Sequence, residues 1–131
     1  MIMLDTNVCS YIIKGDGPWL TKFSAGDTGE FAISAIVAYE LELWKQRQDS
    51  SGSLAQLIAA FLRQIRVLPF ESDSAAMAGK VVSNLMDRGR SIGAFDPLIA
   101  AHAIAERAVL VTNNATDFKF VEGLRITTSL L

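Results

Sequence analysis

Short apolar runs alternate along this chain with longer segments in which apolar residues return every three or four positions. The short runs, bounded by polar or turn-forming residues, are typical of buried strands, whereas the longer spacing predicts helices. The predicted strands are Met1–Asp5, Phe31–Ser34, Val67–Phe70, Val109–Thr112 and Leu124–Ile126. The predicted helices are Val8–Lys14, Trp19–Ser24, Ala35–Gln48, Leu54–Ile65, Ser74–Arg88 and Pro97–Arg107.

Polar and turn-forming residues separate these elements. Gly15-Asp16-Gly17-Pro18 predicts a turn after the first helix. The polar loop Gln48–Ser53 predicts that the helices on either side of it form a hairpin. Ser34 is placed to cap the third helix, and either Ser72 or Asp73 to begin the fifth.

Strands that alternate with helices predict a parallel sheet covered on both faces. We therefore expect an α/β fold, a three-layer α/β/α sandwich around a central, mainly parallel sheet. Because no repeat, low-complexity tract or long linker divides the sequence, we expect one domain spanning residues 1–131. Ligands of such folds bind beyond the carboxyl ends of the strands, where loops lead into helices.

Three acidic residues follow predicted strands or begin helices at that edge, and each has a structural alternative. Asp5 ends the first strand and can cap the next helix, although Thr6 and Asn7 are better placed to do so. Asp96 and Pro97 together suit the start of a helix, so Asp96 can be a helix cap. A capping role is compatible with metal binding. Asp117 follows the fourth strand in a polar segment that suits a turn.

Glu40 is a fourth acidic residue, and it is the most informative one. Its neighbours one helical turn away are all apolar, namely Ile36, Val37, Leu43 and Trp44. A carboxylate inside an apolar stripe is costly unless a cation compensates it. Glu42 has more polar neighbours and is expected to face water. The alternative is that Glu40 lies at the edge of the stripe and reaches solvent.

Carboxylates without a cluster of Cys and His favour hard cations, here Mg²⁺ or Mn²⁺, which are suited to phosphoryl chemistry. Asp5, Glu40, Asp96 and Asp117 are therefore predicted to be metal ligands, directly or through water. The only histidine, His102, has apolar neighbours at helical spacing and is interpreted as structural. The only cysteine, Cys9, is interpreted as a buried apolar residue.

Composition changes this picture little. The net charge of −2 disfavours a nucleic-acid binder, but setting aside the four acids leaves +2 on the remaining chain. Hydrophobic residues make up 50% and the mean hydropathy is +0.30, which indicates either a generous core or a protein interface. With neither a basic leader nor an apolar stretch near ~18 residues, the chain is expected to be cytoplasmic, without a membrane segment.

Four segments together resemble the PIN-domain family, specifically its VapC-type toxins. They are Met3–Val8; Ile33–Ala35 with Glu40-Leu41; Ile92–Ala103; and Leu110–Asn114 with Asp117-Phe118 and Gly123-Leu124. The resemblance covers nearly the whole chain, in the family's order.

That resemblance implies a Mg²⁺- or Mn²⁺-dependent endoribonuclease that cleaves RNA, for example a structured RNA such as tRNA. It also implies a homodimer and a cognate antitoxin whose C-terminal segment enters the active-site groove. Asp5, Glu40, Asp96 and Asp117 match the family's catalytic acids. Thr6, Asn7 and Thr112 match supporting polar groups. Some relatives carry an acid where this chain has Asn114, so either Asn114 or Asp117 completes the site.

Two cations lie just before Asp96 in the sequence. Arg88 and Arg90 can hold RNA phosphates or an antitoxin carboxylate, or can simply be solvated. The helical-hairpin residues Trp44, Leu54, Leu57 and Phe61 are expected to pack internally, although a partner helix is the alternative.

Three other interpretations fit the sequence less well. A response-regulator receiver needs adjacent acids after the first strand and a phosphorylated Asp ending a middle strand, but Asp49 lies in a polar loop. A haloacid-dehalogenase phosphatase needs an acid at the position of Asn7. The stronger alternative is a PIN fold that binds RNA or an antitoxin without cleavage, against which the intact set of four acids argues.

Overall fold

A five-stranded parallel sheet forms the centre of the computed structural model, which describes residues 1–25 and 30–128. The strands are β1 Ile2–Leu4, β2 Phe31–Ser34, β3 Arg66–Leu68, β4 Val109–Val111 and β5 Arg125–Thr127. Their order is β3-β2-β1-β4-β5, and every neighbouring pair is parallel. The chain therefore starts in the middle of the sheet, builds one side, and then crosses over to build the other.

Seven helices flank this sheet in the described part of the chain. They are α1 Thr6–Ile13, α2 Gly17–Ala25, α3 Ala35–Gln46, α4 Ser53–Gln64, α5 Ser72–Asp87, α6 Asp96–Ala105 and α7 Ala115–Phe118. The predicted α/β class is confirmed, including the parallel sheet. All five predicted strands and all six predicted helices are present, with ends that shift by a few residues.

Some of the local predictions were wrong. The segment Gly15–Pro18 is not wholly a turn, since α2 already begins at Gly17; a proline in the first helical turn loses no hydrogen bond. The helix α5 does begin at Ser72, but its capping position is Glu71 rather than Ser72 or Asp73, and the Glu71 side chain makes no capping hydrogen bond within the described residues. The polar segment around Asp117 is a short helix, α7, rather than only a turn.

The core lies between the sheet and its helices. Leu4, Ile33, Leu110 and Phe118 are completely or almost completely buried. Cys9 is also fully buried, as predicted, and burial raises the pKa of its thiol well above the usual range. No helix within residues 1–25 and 30–128 is long and apolar enough to cross a bilayer.

A buried polar contact ties α6 to the end of β2. The Ser34 hydroxyl accepts a hydrogen bond from the backbone N–H of Ile36 at 3.0 Å, which confirms that Ser34 caps α3. The same oxygen lies 2.7 Å from Nδ1 of His102, which is fully buried. Nε2 of His102 lies 3.7 Å from Glu106 and has no hydrogen-bond partner among residues 1–25 and 30–128. Burial lowers the pKa of His102, so the neutral ring fits its predicted structural role.

Candidate active site

The end of β1 and the end of β4 lie side by side at the centre of the sheet edge. The connections from these two strands lead to opposite halves of the sheet. Such a switch point leaves a crevice at the carboxyl ends of the strands. Asp5 directly follows β1, and Thr112 directly follows β4.

Asp5 is almost fully buried and is itself the cap of α1. Its carboxylate accepts a hydrogen bond from the backbone N–H of Val8 at 2.8 Å and others from the Asn7 N–H and the Thr112 hydroxyl. The expectation that Thr6 or Asn7 would cap α1 was therefore wrong, since Asp5 holds the extended conformation of the capping position. Burial, opposed by these hydrogen bonds, raises the pKa of Asp5.

Glu40 on α3 reaches toward the start of α1. The Thr6 hydroxyl donates a hydrogen bond to Oε1 of Glu40 at 2.7 Å. The prediction that Glu40 lies inside a buried apolar stripe was wrong. Glu40 itself is half-buried, its neighbour Leu43 is 49% exposed, and Ile36 is only half-buried. As predicted, Glu42 is exposed, and it pairs with Lys45.

Asp96 is the first residue of α6 and does not cap it. The helix is entered one residue earlier, at Phe95, so the prediction that Asp96 is the capping residue was wrong. The carboxylate is half-buried. Burial is the largest cause that raises its pKa from 3.8 to about 6, and the negative charges of Asp5, Glu40 and Asp117 contribute to the same rise, in that order. All four predicted acids therefore interact electrostatically at one place.

Asp117 on α7 is exposed at the rim of this cluster. Nδ2 of Asn114 donates to Asp117 at 3.0 Å, and the backbone N–H of Asn114 donates to the Thr112 hydroxyl at 2.8 Å. Because Thr112 also bonds to Asp5, a chain of polar contacts joins Asp5, Thr112, Asn114 and Asp117. Asn7 contributes its backbone N–H to Asp5, while its side chain is exposed.

The donor set suits a hard divalent cation. The four side chains offer only carboxylate oxygens, and their mutual repulsion raises the pKa of Asp96, which a bound cation would relieve. Within the described ranges, no three acidic, His or Cys side chains are gathered closely enough to hold an ion by themselves. An ion bound here would therefore need waters to complete its coordination, as hard divalent cations in proteins commonly have.

A small basic cluster surrounds Phe120, whose backbone N–H donates to the carbonyl of Asp117 at 3.3 Å. Arg90 stacks on the Phe120 ring at 3.4 Å from its centroid, and Nζ of Lys119 lies 5.2 Å from the centroid. Arg88 donates a hydrogen bond to the backbone carbonyl of Phe120. Arg88 and Arg90 are thus exposed but held in place. The sequence analysis missed Lys119 and Phe120, because no local pattern connects them to the arginines.

The PIN domain matches residues 2–123, and the chain belongs to the PIN-domain family. The family resemblance inferred from the four motifs is therefore confirmed.

The individual relatives are VapC proteins. The chain is 32% identical over 123 residues to the tRNA(fMet)-specific endonuclease VapC of Shigella flexneri, covering 94% of this chain and 93% of that protein. It superposes on a chain of the crystal structure of VapBC2 from Rickettsia felis, which is bound to a DNA fragment from the VapBC2 promoter. The TM-score is 0.84 at 34% identity, and the match covers 97% of this chain and 98% of that chain. DNA-bound VapBC of Salmonella typhimurium gives a TM-score of 0.89 at 28% identity, with coverage of 99% and 98%.

Proposed function

We propose that this chain is a metal-dependent endoribonuclease and the toxin of a toxin–antitoxin pair. One observation carries the proposal: Asp5, Glu40, Asp96 and Asp117 come from separate elements and interact at the switch point of a PIN fold. The relatives support both parts, since the Shigella protein is named an endonuclease and the Rickettsia and Salmonella structures are VapBC complexes. A cognate antitoxin is accordingly the expected protein partner.

The four carboxylates would hold Mg²⁺ or Mn²⁺, some directly and some through water. A bound ion of this kind neutralises phosphate charge and lowers the pKa of water. The residues around the acids hold them in place: Thr6 orients Glu40, and Thr112 orients Asp5. Asp117, exposed and held by Asn114, is placed to orient an attacking water at the rim.

RNA is the proposed substrate, and a structured RNA such as tRNA is the favoured class. The support is the name of the Shigella relative, whose stated substrate is tRNA(fMet). The basic cluster of Arg88, Arg90 and Lys119 would bind phosphates next to the acidic site, because all three cations surround one ring close to Asp117. The predicted homodimer stays a prediction.

The decisive experiment is cleavage of total RNA by the purified protein, with Mg²⁺ or Mn²⁺ and then with EDTA. We expect discrete fragments that require the metal and disappear in Asp5→Asn and Glu40→Gln. Glu42→Gln is the matched control, since Glu42 is an exposed acid on the same helix that pairs with Lys45. Calorimetric titration with Mn²⁺ gives a second readout, in which binding is expected for the wild type and strongly weakened in both site variants.

Two results would contradict the nuclease. Cleavage that survives EDTA and both substitutions would exclude the metal mechanism. Absence of cleavage together with intact RNA binding would instead favour a PIN fold that binds RNA without cutting it.

A further inference from the structure

Two exposed aromatic rings contact each other across the two elements that carry Glu40 and Asp96. Tyr39 on α3 is 50% exposed, and Phe95 at the start of α6 is 40% exposed. Their ring centroids lie 5.6 Å apart with an interplanar angle of 57°. Each ring belongs to the residue immediately before an acid of the cluster, Glu40 in one case and Asp96 in the other. The pair therefore bridges two elements at the rim of the site.

The internal packing of the protein does not account for this pair. Large aromatic side chains contribute most to stability when buried, yet these two remain half in solvent while Phe31, Phe61 and Phe118 fill the core. Neither ring is among the groups that hold the carboxylates. An exposed aromatic surface at the edge of a polar cleft indicates a ligand with a flat, apolar face.

The neighbouring carboxylates limit what that ligand can be. An apolar protein surface laid over the rings would also cover Glu40 and Asp96, and burying carboxylates without compensation is costly. A nucleotide avoids this cost, because its base covers the rings while its phosphate meets the acids through their cation. Proteins that bind single-stranded nucleic acid regularly stack bases on aromatic side chains beside a charged groove.

We propose that Tyr39 and Phe95 form a base-stacking site for a nucleotide next to the cleaved phosphate. The base stacks against the exposed part of the ring pair, where half of Tyr39 and 40% of Phe95 remain open to solvent. Stacking of this kind accepts any base, so the pair positions single-stranded RNA and does not select its sequence. The inference rests on the proposed ribonuclease function and extends it to the path of the RNA strand.

The test measures binding of a short single-stranded RNA that carries a fluorescent purine, whose emission falls when it stacks. All proteins carry Asp117→Asn, which removes the acid proposed to orient the attacking water, so that the RNA stays intact while Asp5, Glu40 and Asp96 remain to bind the cation. Tyr39→Leu and Phe95→Leu are each expected to weaken binding about tenfold and to abolish the fall in emission. Tyr39→Phe and Phe95→Tyr keep a ring and are expected to retain both. Leu57→Ala on α4, which is 49% exposed and outside the site, is the control.

The same variants in the wild-type background separate this inference from the nuclease itself. If the wild type cleaves RNA but the leucine variants match it in binding, emission and KM, the stacking site is wrong and the nuclease stands. If the wild type fails to cleave but the emission change requires both rings, the stacking site stands without the nuclease. If the leucine variants lose a dimer in sedimentation with unchanged emission, a second copy covers the rings and the proposal is overturned.

Discussion

Hydroxyl groups hold two of the four carboxylates of the proposed site. Thr6 donates to Glu40, and Thr112 bonds to Asp5 while accepting from Asn114. A carboxylate held by a fixed donor keeps one orientation, which a metal ligand needs in order to coordinate without further ordering. The function of the site therefore depends on residues that would not themselves bind the cation.

The Thr6 hydroxyl is the clearest case to test. Thr6→Val keeps the shape of the side chain but removes the hydroxyl that donates to Glu40. We expect kcat/KM for RNA cleavage to fall roughly tenfold, because a hydrogen bond to a charged group contributes ~1.5–3 kcal/mol. Thr6→Ser keeps the hydroxyl and is expected to retain most of the activity. Equal activity in the valine and serine variants would show that the hydroxyl does not orient Glu40.

The pKa of Asp96 predicts a pH dependence of stability in the metal-free protein. Its value is raised from 3.8 to about 6, first by burial and then by the other acids. A raised carboxyl pKa means that the folded state favours the protonated form, so this contribution is present at low pH and is lost as the pH rises through about 6.

We therefore expect the free energy of unfolding of the wild type to fall between pH ~4 and ~6.5, relative to Asp96→Asn. Urea denaturation across this range, with EDTA present, measures the difference. Saturating Mg²⁺ should reduce the fall, because the cation compensates the ionised carboxylates. Parallel pH profiles for the two proteins without metal would contradict the burial of this carboxyl.

Among the secondary-structure elements, the start of α6 decides the geometry of the site. The helix begins at Asp96 with Phe95 as its capping residue, so the carboxylate of Asp96 remains available to the cluster. The middle of the same helix is tied to β2 and to the start of α3 by the contact between His102 and Ser34. The element that carries Asp96 is thus attached to the element that carries Glu40.

Ser34 is the common point of that attachment. Ser34→Ala removes the cap of α3 and leaves Nδ1 of His102 buried without its partner, and we expect a loss of about 1–3 kcal/mol in the free energy of unfolding. Urea denaturation at neutral pH measures it. Ser91→Ala, in the exposed loop before α6, is the control and should change little. A loss no larger than that of the control would show that the contact contributes nothing.

For the whole molecule, the net charge is a poor guide to the ligand. The chain carries −2, yet four acids are concentrated at the switch point and three cations surround Phe120 close by. The proposed phosphate binding would therefore depend on this small local cluster and not on the broad basic surface that most nucleic-acid binders show.

The basic cluster predicts a measurable salt dependence. Arg90→Gln removes a guanidinium group that stacks on Phe120 and makes no side-chain hydrogen bond within residues 1–25 and 30–128. We expect weaker RNA binding, and a slope of log affinity against log salt concentration that is smaller by ~0.7. The measurement is RNA affinity at several salt concentrations in the Asp5→Asn background. Arg63→Gln, which removes an exposed charge from α4, is the control. Equal slopes for the two variants would exclude a phosphate contact by Arg90.

Local patterns predicted much of this protein. Most strands lie in or beside short apolar runs and most helices keep their apolar spacing, so the elements and the α/β class could be predicted from neighbouring residues alone. The alternation of the two element types implied a parallel sheet, and a parallel sheet brings its carboxyl ends to one edge. Asp5, Glu40, Asp96 and Asp117 could be singled out for that reason, with support from the family's motifs.

Tertiary structure decided what depends on residues far apart in the sequence. Thr6 meets Glu40 across 34 positions, Arg88 meets Phe120 across 32, and Tyr39 meets Phe95 only because α3 packs near the start of α6. Helix entry at Phe95 likewise decided that Asp96 is free of a capping role. Local propensity carries no information about such contacts, because they are set by the packing of whole elements. The sequence alone therefore determined which acids are candidates for the site, and the fold determined which residues surround them.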